Sequence, residues 1–251
     1  MKVKIHEMKY WQFGALGIHN PSNSTYKPYF DILKSSEGVP GDVLELGVAK
    51  GASLITSALI LEDIGSQKKV IGIDTFSGFP KSSDNDEFGF FHVLYQQGNI
   101  RKDHLESAEL NRELVLVRGG GSSPQLISNS GDFSETSMDS VIEKVEKLEL
   151  GSRVVVRKSD LSLGINETGP FSVVLLDLDL YDGYANTLDA LFDNLSPGGV
   201  IYLDEYFSLK FPGPRMAVDE FLARTTTAKL IRLDDWWDFE RWLIKKPTLE
   251  G

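Results

Sequence analysis

The sequence contains no cysteine, which excludes disulfides, thiolate metal sites and a cysteine nucleophile. Basic residues are in the minority, 26 Lys and Arg against 37 Asp and Glu, and the net charge is -11. Most of such a surface repels a polyanion, so RNA and DNA are disfavoured as substrates. Long apolar runs are also missing: none approaches the roughly 18–20 residues of a membrane span. The opening stretch, Met1-Lys-Val-Lys-Ile-His-Glu7, lacks the apolar core of a signal peptide. Absent cysteine fits a reducing compartment, and the expected location is the cytoplasm.

What is present is enough apolar residue, 41% of 251 positions, to bury one substantial core. Two stretches stand out. Gly41-Asp-Val-Leu-Glu-Leu-Gly-Val-Ala-Lys-Gly-Ala-Ser53 reads as a buried strand, carried by Val43, Leu44 and Leu46, that turns through Gly47 and Gly51 into a helix. Val70-Ile-Gly-Ile-Asp74 reads as a second strand ending on an acid. A strand, glycine turn, helix and acid-tipped strand make the front half of a nucleotide-binding α/β unit. The glycines follow Gly-x-x-x-Gly spacing and lack the Gly-x-Gly-x-x-Gly of dinucleotide sites, which disfavours a nicotinamide-dependent oxidoreductase.

Further along, apolar spacing predicts helices over 26–36, 54–63, 138–148, 184–195 and 215–223. Strands are predicted at 153–156, 171–177 and 200–204, with Ser196-Pro-Gly-Gly199 closing the helix before the last of them. Residues 229–233 and 241–245 read as an antiparallel hairpin. The segment 75–135 is too long for a plain connection and reads as a lid. It holds Phe88-Gly-Phe-Phe91, a short strand candidate at 114–117 and the run Gly119-Gly-Gly-Ser-Ser-Pro124. Alternation of helix and strand predicts a mostly parallel sheet with helices on both faces. The chain is expected to be a single domain over 1–251, with 1–36 as an N-terminal helical segment.

The motifs carry a resemblance. Val39-Pro-Gly-Asp-Val-Leu-Glu-Leu-Gly-Val-Ala-Lys-Gly-Ala-Ser53 and Ile73-Asp-Thr-Phe-Ser-Gly-Phe-Pro80 resemble the first two motifs of the macrocin O-methyltransferase family. Asp177-Leu-Asp-Leu-Tyr181 and Leu195-Ser-Pro-Gly-Gly-Val-Ile-Tyr-Leu-Asp204 resemble its third and fourth. The resemblance covers roughly 26–80 and 138–225. It implies a Rossmann-like class I methyltransferase fold, with a mostly parallel seven-stranded sheet, a terminal antiparallel hairpin and a lid insertion. It also implies S-adenosylmethionine as cofactor, Mg²⁺ in many members, and hydroxyls of sugars and other natural products as acceptors. The 1–36 segment then lies on the acceptor side. Two departures are visible: Asp204-Glu205 stands where the family has paired aspartates, and Ser159-Asp160-Leu161 replaces a Gly-Asp-Phe type sequence.

On this reading Gly47, Val48 and Gly51 let the backbone approach the cofactor. Ser53 meets its carboxylate at a helix start, and Glu45 binds its amino group or orients the loop. Asp74 takes the ribose hydroxyls, with Thr75 and Phe76 in the same pocket. Ser159 and Asp160 meet the adenine or merely cap a turn. Asp177, Asp204 and Glu205 are the expected metal ligands, since clustered carboxylates need a cation or proton to coexist. Asp177 or Asp179 is the expected catalytic base. The bland alternative leaves Asp177 on the cofactor's amino group and the other acids solvated or capping. A metal-independent methyltransferase and a noncatalytic cofactor-binding protein are the rival functions. The expected partner is a small sugar-like or polyol acceptor, with no nucleic acid, no membrane and homo-oligomer formation left open. His92 and His104 read as lid residues, each either a base or, more ordinarily, a solvated surface side chain. Tyr26, Tyr29 and Phe30 read as helix core. Trp236, Trp237, Phe239 and Trp242 either cover a sugar face or pack around the hairpin, the second being the ordinary role.

Overall fold

The computed structural model describes residues 2–121, 127 and 132–248. Ser122, Ser123 and Pro124 of the glycine-rich run lie outside them. A short 3-10 turn at Ile5–Glu7 leads into helix α1 (Tyr10–Leu16) and then α2 (Lys27–Ser35). Strand β1 (Asp42–Leu46) follows, then α3 (Ala52–Asp63) and β2 (Val70–Asp74). The insertion holds α4 (Phe90–Gln96) and α5 (Lys102–Val117). The chain continues through α6 (Met138–Lys147), β3 (Val154–Lys158), β4 (Phe171–Leu176) and α7 (Tyr181–Asn194). It closes with β5 (Leu195–Leu203), α8 (Gly213–Arg224), β6 (Lys229–Arg232) and β7 (Trp242–Lys245).

The seven strands form one sheet in the order β3-β2-β1-β4-β5-β7-β6. The first five are parallel, and β7 runs antiparallel to both β5 and β6. The chain winds outward one way from β1 through β2 to β3, then the other way from β4 to β5. Between β1 and β4 lies the point where winding reverses, and ligands bind there at the carboxyl ends of the strands. Two apolar layers flank the sheet. Val43, Val173 and Tyr202 face one layer with α2, α3 and α6. Leu44, Leu46, Val174 and Leu176 face the other with α7 and α8. Helix α3 is buried continuously from Ser53 to Leu61, because the sheet covers one side and the N-terminal segment the other. Among the described residues no helix is long and apolar enough to cross a membrane.

Two expectations are corrected. Residues 114–117 are not a strand but the last turn of α5. The run Leu-Val-Leu-Val is apolar enough for either state. The helix formers before it, Leu105, Glu106, Ala108, Glu109, Leu110, Arg112 and Glu113, carry the helix through to Val117. Ser196 to Gly199 do not stand outside the strand either: β5 already begins at Leu195. The register with β4 shifts between Phe171 and Val173 to accommodate the extra length, as a bulge does.

Candidate active site

Backbone hydrogen bonds continue past the strand ends and line up the acids. The N–H of Ser159 donates to Asp74 O, Gly47 N to Ile73 O, Asp177 N to Leu46 O and Asp204 N to Leu176 O, all at 3.0–3.1 Å. Ser159, Asp74, Gly47, Asp177 and Asp204 therefore follow one another along the sheet edge, centred on the reversal point.

Gly47 is required there. Its φ is +93°, and a Cβ would lie 1.8 Å from the carbonyl oxygen of Asp177. The loop beyond it is held by Asp74. One carboxylate oxygen accepts the N–H groups of Val48 and Ala49 at 2.8 and 2.9 Å, and the other accepts Phe76 N–H at 2.6 Å. Three of the roughly four acceptor positions of this carboxylate thus shape the turn. Thr75 borders the smaller of two neighbouring cavities, about 100 Å³, and its hydroxyl donates to Gly78 O. Phe76 turns into the core instead. Gly51 starts α3 at φ +79° against Val141 and lines neither cavity.

Glu45 is fully buried, and burial pushes its carboxyl up to about 8. One oxygen accepts from the Ser53 hydroxyl at 2.7 Å; the other has no partner among the described residues. Ser53 borders the larger cavity and Glu45 does not, so Glu45 acts behind Ser53. Asp160 borders the smaller cavity while capping the turn Leu161–Leu163 through Ser162 N–H. Ser159 is exposed and lines neither.

The larger cavity, about 790 Å³, is lined by Asp177, Asp179, Asp204, Glu205 and Lys210, with His19 and Tyr26 opposite. Burial first, then repulsion from Asp204 and Asp179, raises the Asp177 carboxyl well above its usual range. Asp179, at φ +60°, is raised by burial and by Glu205. Asp204 is pushed up to about 6, again by burial and then Glu205. Three of the four acids have a donor or cation beside them. The Tyr26 hydroxyl donates to Asp177 at 2.5 Å, Arg241 lies 3.8 Å from Asp204 and Lys210 lies 3.9 Å from Glu205. Hard oxygen donors in excess over two cations suit Mg²⁺ chemically. Among the described residues, however, no three acid or histidine side chains converge closely enough to hold a metal ion.

Three residues of this site escape a reading of the sequence. His19 and Lys210 carry no motif. Tyr26 has the spacing of a core residue, yet only Tyr29 and Phe30 are fully buried. His104 is neither exposed nor at the cavity: it is 5% exposed, 2.7 Å from Ser208 O and stacked on Phe207. His92 is an exposed residue of α4, 3.6 Å from Glu109. Trp242 packs on Tyr206 and Phe239 on Phe207, whereas Trp237 is 53% exposed.

A parallel five-stranded sheet with an antiparallel terminal pair and a site at the β1–β4 reversal defines the class I methyltransferase fold. The structure of the O-methyltransferase NovP shares it, with a TM-score of 0.60 and 21% identity over 88% of this chain and 80% of that one. The model of the macrocin-O-methyltransferase family matches residues 129–241. Mycinamicin III 3''-O-methyltransferase of Micromonospora griseorubida is 27% identical over 75% of this chain. A rhamnosyl-tetracenomycin-C 4'-O-methyltransferase of Streptomyces olivaceus is 27% identical over 68%. The chain spans 63% and 55% of the lengths of these two relatives.

Proposed function

We propose that the protein transfers the methyl group of S-adenosylmethionine to a hydroxyl of a small sugar-bearing or polyhydroxylated natural product. The observation that carries the reading is the row Asp74, Gly47, Asp177 and Asp204 along one strand edge, opening onto a cavity bordered by four acids. The relatives' names, both O-methyltransferases and one of a rhamnosyl-bearing compound, support the acceptor class.

In this reading the cofactor lies along the Gly47 turn. Asp74 keeps one acceptor position for a ribose hydroxyl, and Ser53 meets the methionine carboxylate. The apolar walls of the smaller cavity, Phe79 and Leu161, suit the adenine. The acceptor enters the larger cavity. Its oxygen displaces the sulfonium in line, forming the C–O bond as the C–S bond breaks, so positioning supplies much of the rate. Asp177 takes the hydroxyl proton, and a carboxyl raised by burial is a better base than an ordinary one. Tyr26 holds Asp177 in place. For Mg²⁺ to bind, Asp177, Asp204 and Glu205, with Asp179 in reserve, would have to draw closer than they stand here; the ion would then orient acceptor oxygens and lower the pKa of the attacked one. The insertion over 75–135 closes the site as a lid.

The test is mass spectrometry of reactions containing S-adenosylmethionine and a panel of glycosides, with and without EDTA. A product heavier by one methyl group, lost in Asp177→Asn, is expected. Cofactor binding without product from any acceptor would leave a noncatalytic binding protein. Full turnover in EDTA, with Asp204→Asn nearly silent, would remove the metal and keep the transferase.

A further inference from the structure

A further cavity, about 370 Å³, opens beside the acid-lined one, between the N-terminal segment and the tip of the β6–β7 connection. We infer that it is a binding site for the aglycone of a glycosidic acceptor, a ring system with an apolar face. The inference rests on the acceptor reading above and adds to it where the rest of the acceptor goes.

The hairpin tip is the first observation. Trp236 and Phe239 exchange both backbone hydrogen bonds, at 3.0 and 3.2 Å, so Trp237 and Asp238 form a two-residue turn. Their φ values are +56° and +62°. Turns of this kind favour Asn-Gly or Asp-Gly, because both central residues sit in the left-handed region. A bulky aromatic residue there is an outlier. Burial does not compensate, since the Trp237 ring is 53% exposed. Backbone strain of this sort points to a use for the side chain.

Tyr10 and Trp11, 73% and 66% exposed, border the same cavity. Three large aromatic side chains thus surround a hollow that no apolar residue fills among the described residues. The wall is fixed, because the Trp236 indole N–H donates to Ser24 O at 2.6 Å and ties the tip to the N-terminal loop. Phe13 and Ile18 continue the apolar lining, and aromatic walls suit a flat ring with an apolar face.

Continuity fixes the occupant. His19 lines both this cavity and the acid-lined one. Its ring is 4.8 Å from that of Tyr26, whose hydroxyl holds Asp177. A sugar at Asp177 therefore has its attached ring system one side chain away from Trp11 and Trp237.

Saturation-transfer NMR on the full chain with S-adenosylhomocysteine tests this, using phenyl β-D-glucoside against methyl β-D-glucoside. The phenyl protons should receive the strongest saturation. That signal should fall at least threefold in the Trp11→Ala/Trp237→Ala double variant, while the thermal shift caused by S-adenosylhomocysteine stays unchanged and certifies the fold. Equal saturation of the two glycosides, or a phenyl signal that survives the double substitution, would overturn the site. So would light scattering that shows a native dimer dissociated by the same variant, which would make the face a contact with a second copy. Failure of the methyl-transfer reading is seen separately, as absence of methylated product, and leaves this binding readout intact.

Discussion

The hydroxyl of Tyr26 donates to a carboxylate oxygen of Asp177 at 2.5 Å, across 151 positions of sequence. It joins the N-terminal segment to the end of β4. A bond this short to an acid is of the charge-assisted kind, worth about 1.5–3 kcal/mol. Tyr26→Phe removes only the donor. Turnover should fall roughly 10- to 100-fold if that energy is expressed in the transition state, with the Kd for S-adenosylmethionine within about threefold of native. An unchanged kcat would show that Asp177 is oriented without Tyr26.

Glu45 sets a pH dependence of stability. Its folded carboxyl is raised to about 8 from an ordinary 4.5, by burial above all. The folded state therefore holds a proton that the unfolded chain releases. Stability from this group is fully present below about 4.5 and declines until the pH passes about 8. Each unit of difference is about 1.4 kcal/mol. Glu45→Gln keeps an oxygen for the Ser53 hydroxyl and removes the titration. Its melting temperature should gain on the native protein as pH rises from 5 to 8, in thermal melts at half-unit steps. Parallel curves for the two proteins would mean that Glu45 titrates normally.

Gly47 and Gly14 make a matched pair. A methyl group at Gly47 would meet the Asp177 carbonyl at 1.8 Å in a left-handed backbone, whereas at Gly14, inside α1, it meets nothing within 4 Å. Gly47→Ala should cost at least ~2–3 kcal/mol through overpacking and strain, and abolish cofactor binding. Gly14→Ala should be neutral or stabilise by up to about 1 kcal/mol. Urea melts of both variants check this; a Gly47→Ala protein of native stability would contradict the close approach.

The parts of the site legible in the sequence are those a strand places by itself. Gly47, Asp74, Asp177 and Asp204 each end an apolar run, so one-dimensional spacing locates them at one edge. His19, Tyr26 and Lys210 come from a loop, a helix start and a crossover, and only the packed chain brings them to Asp177. The helical end of α5 was illegible for a different reason. Leu114 to Val117 satisfies strand and helix equally, and the decision belongs to the residues before it. For Trp237 the sequence leaves open cover of a sugar face and packing around the hairpin, the second being the ordinary role of a tryptophan, and its turn geometry has no signature in the neighbouring Trp236 and Asp238.

His104 ties the insertion to the loop that carries Glu205 and Lys210. Its Nε2 is 2.7 Å from Ser208 O, and since a carbonyl only accepts, Nε2 carries the proton. The ring stacks on Phe207 at 4.2 Å, and Asn111 of the same helix donates to Leu209 O at 3.1 Å. These contacts fix α5 against residues 207–209, between Glu205 and Lys210. His104→Phe keeps the stacking and leaves the Ser208 carbonyl without its donor, at a cost of roughly 1–3 kcal/mol. Because Lys210 borders the acceptor cavity and β1 and β2 form the cofactor side, the acceptor KM should rise several-fold while the Kd for S-adenosylmethionine holds. His104→Gln, which restores a donor, should recover part of the loss. An equal rise in KM and cofactor Kd would show general loosening of the fold, and no change in either would show that the insertion docks without His104.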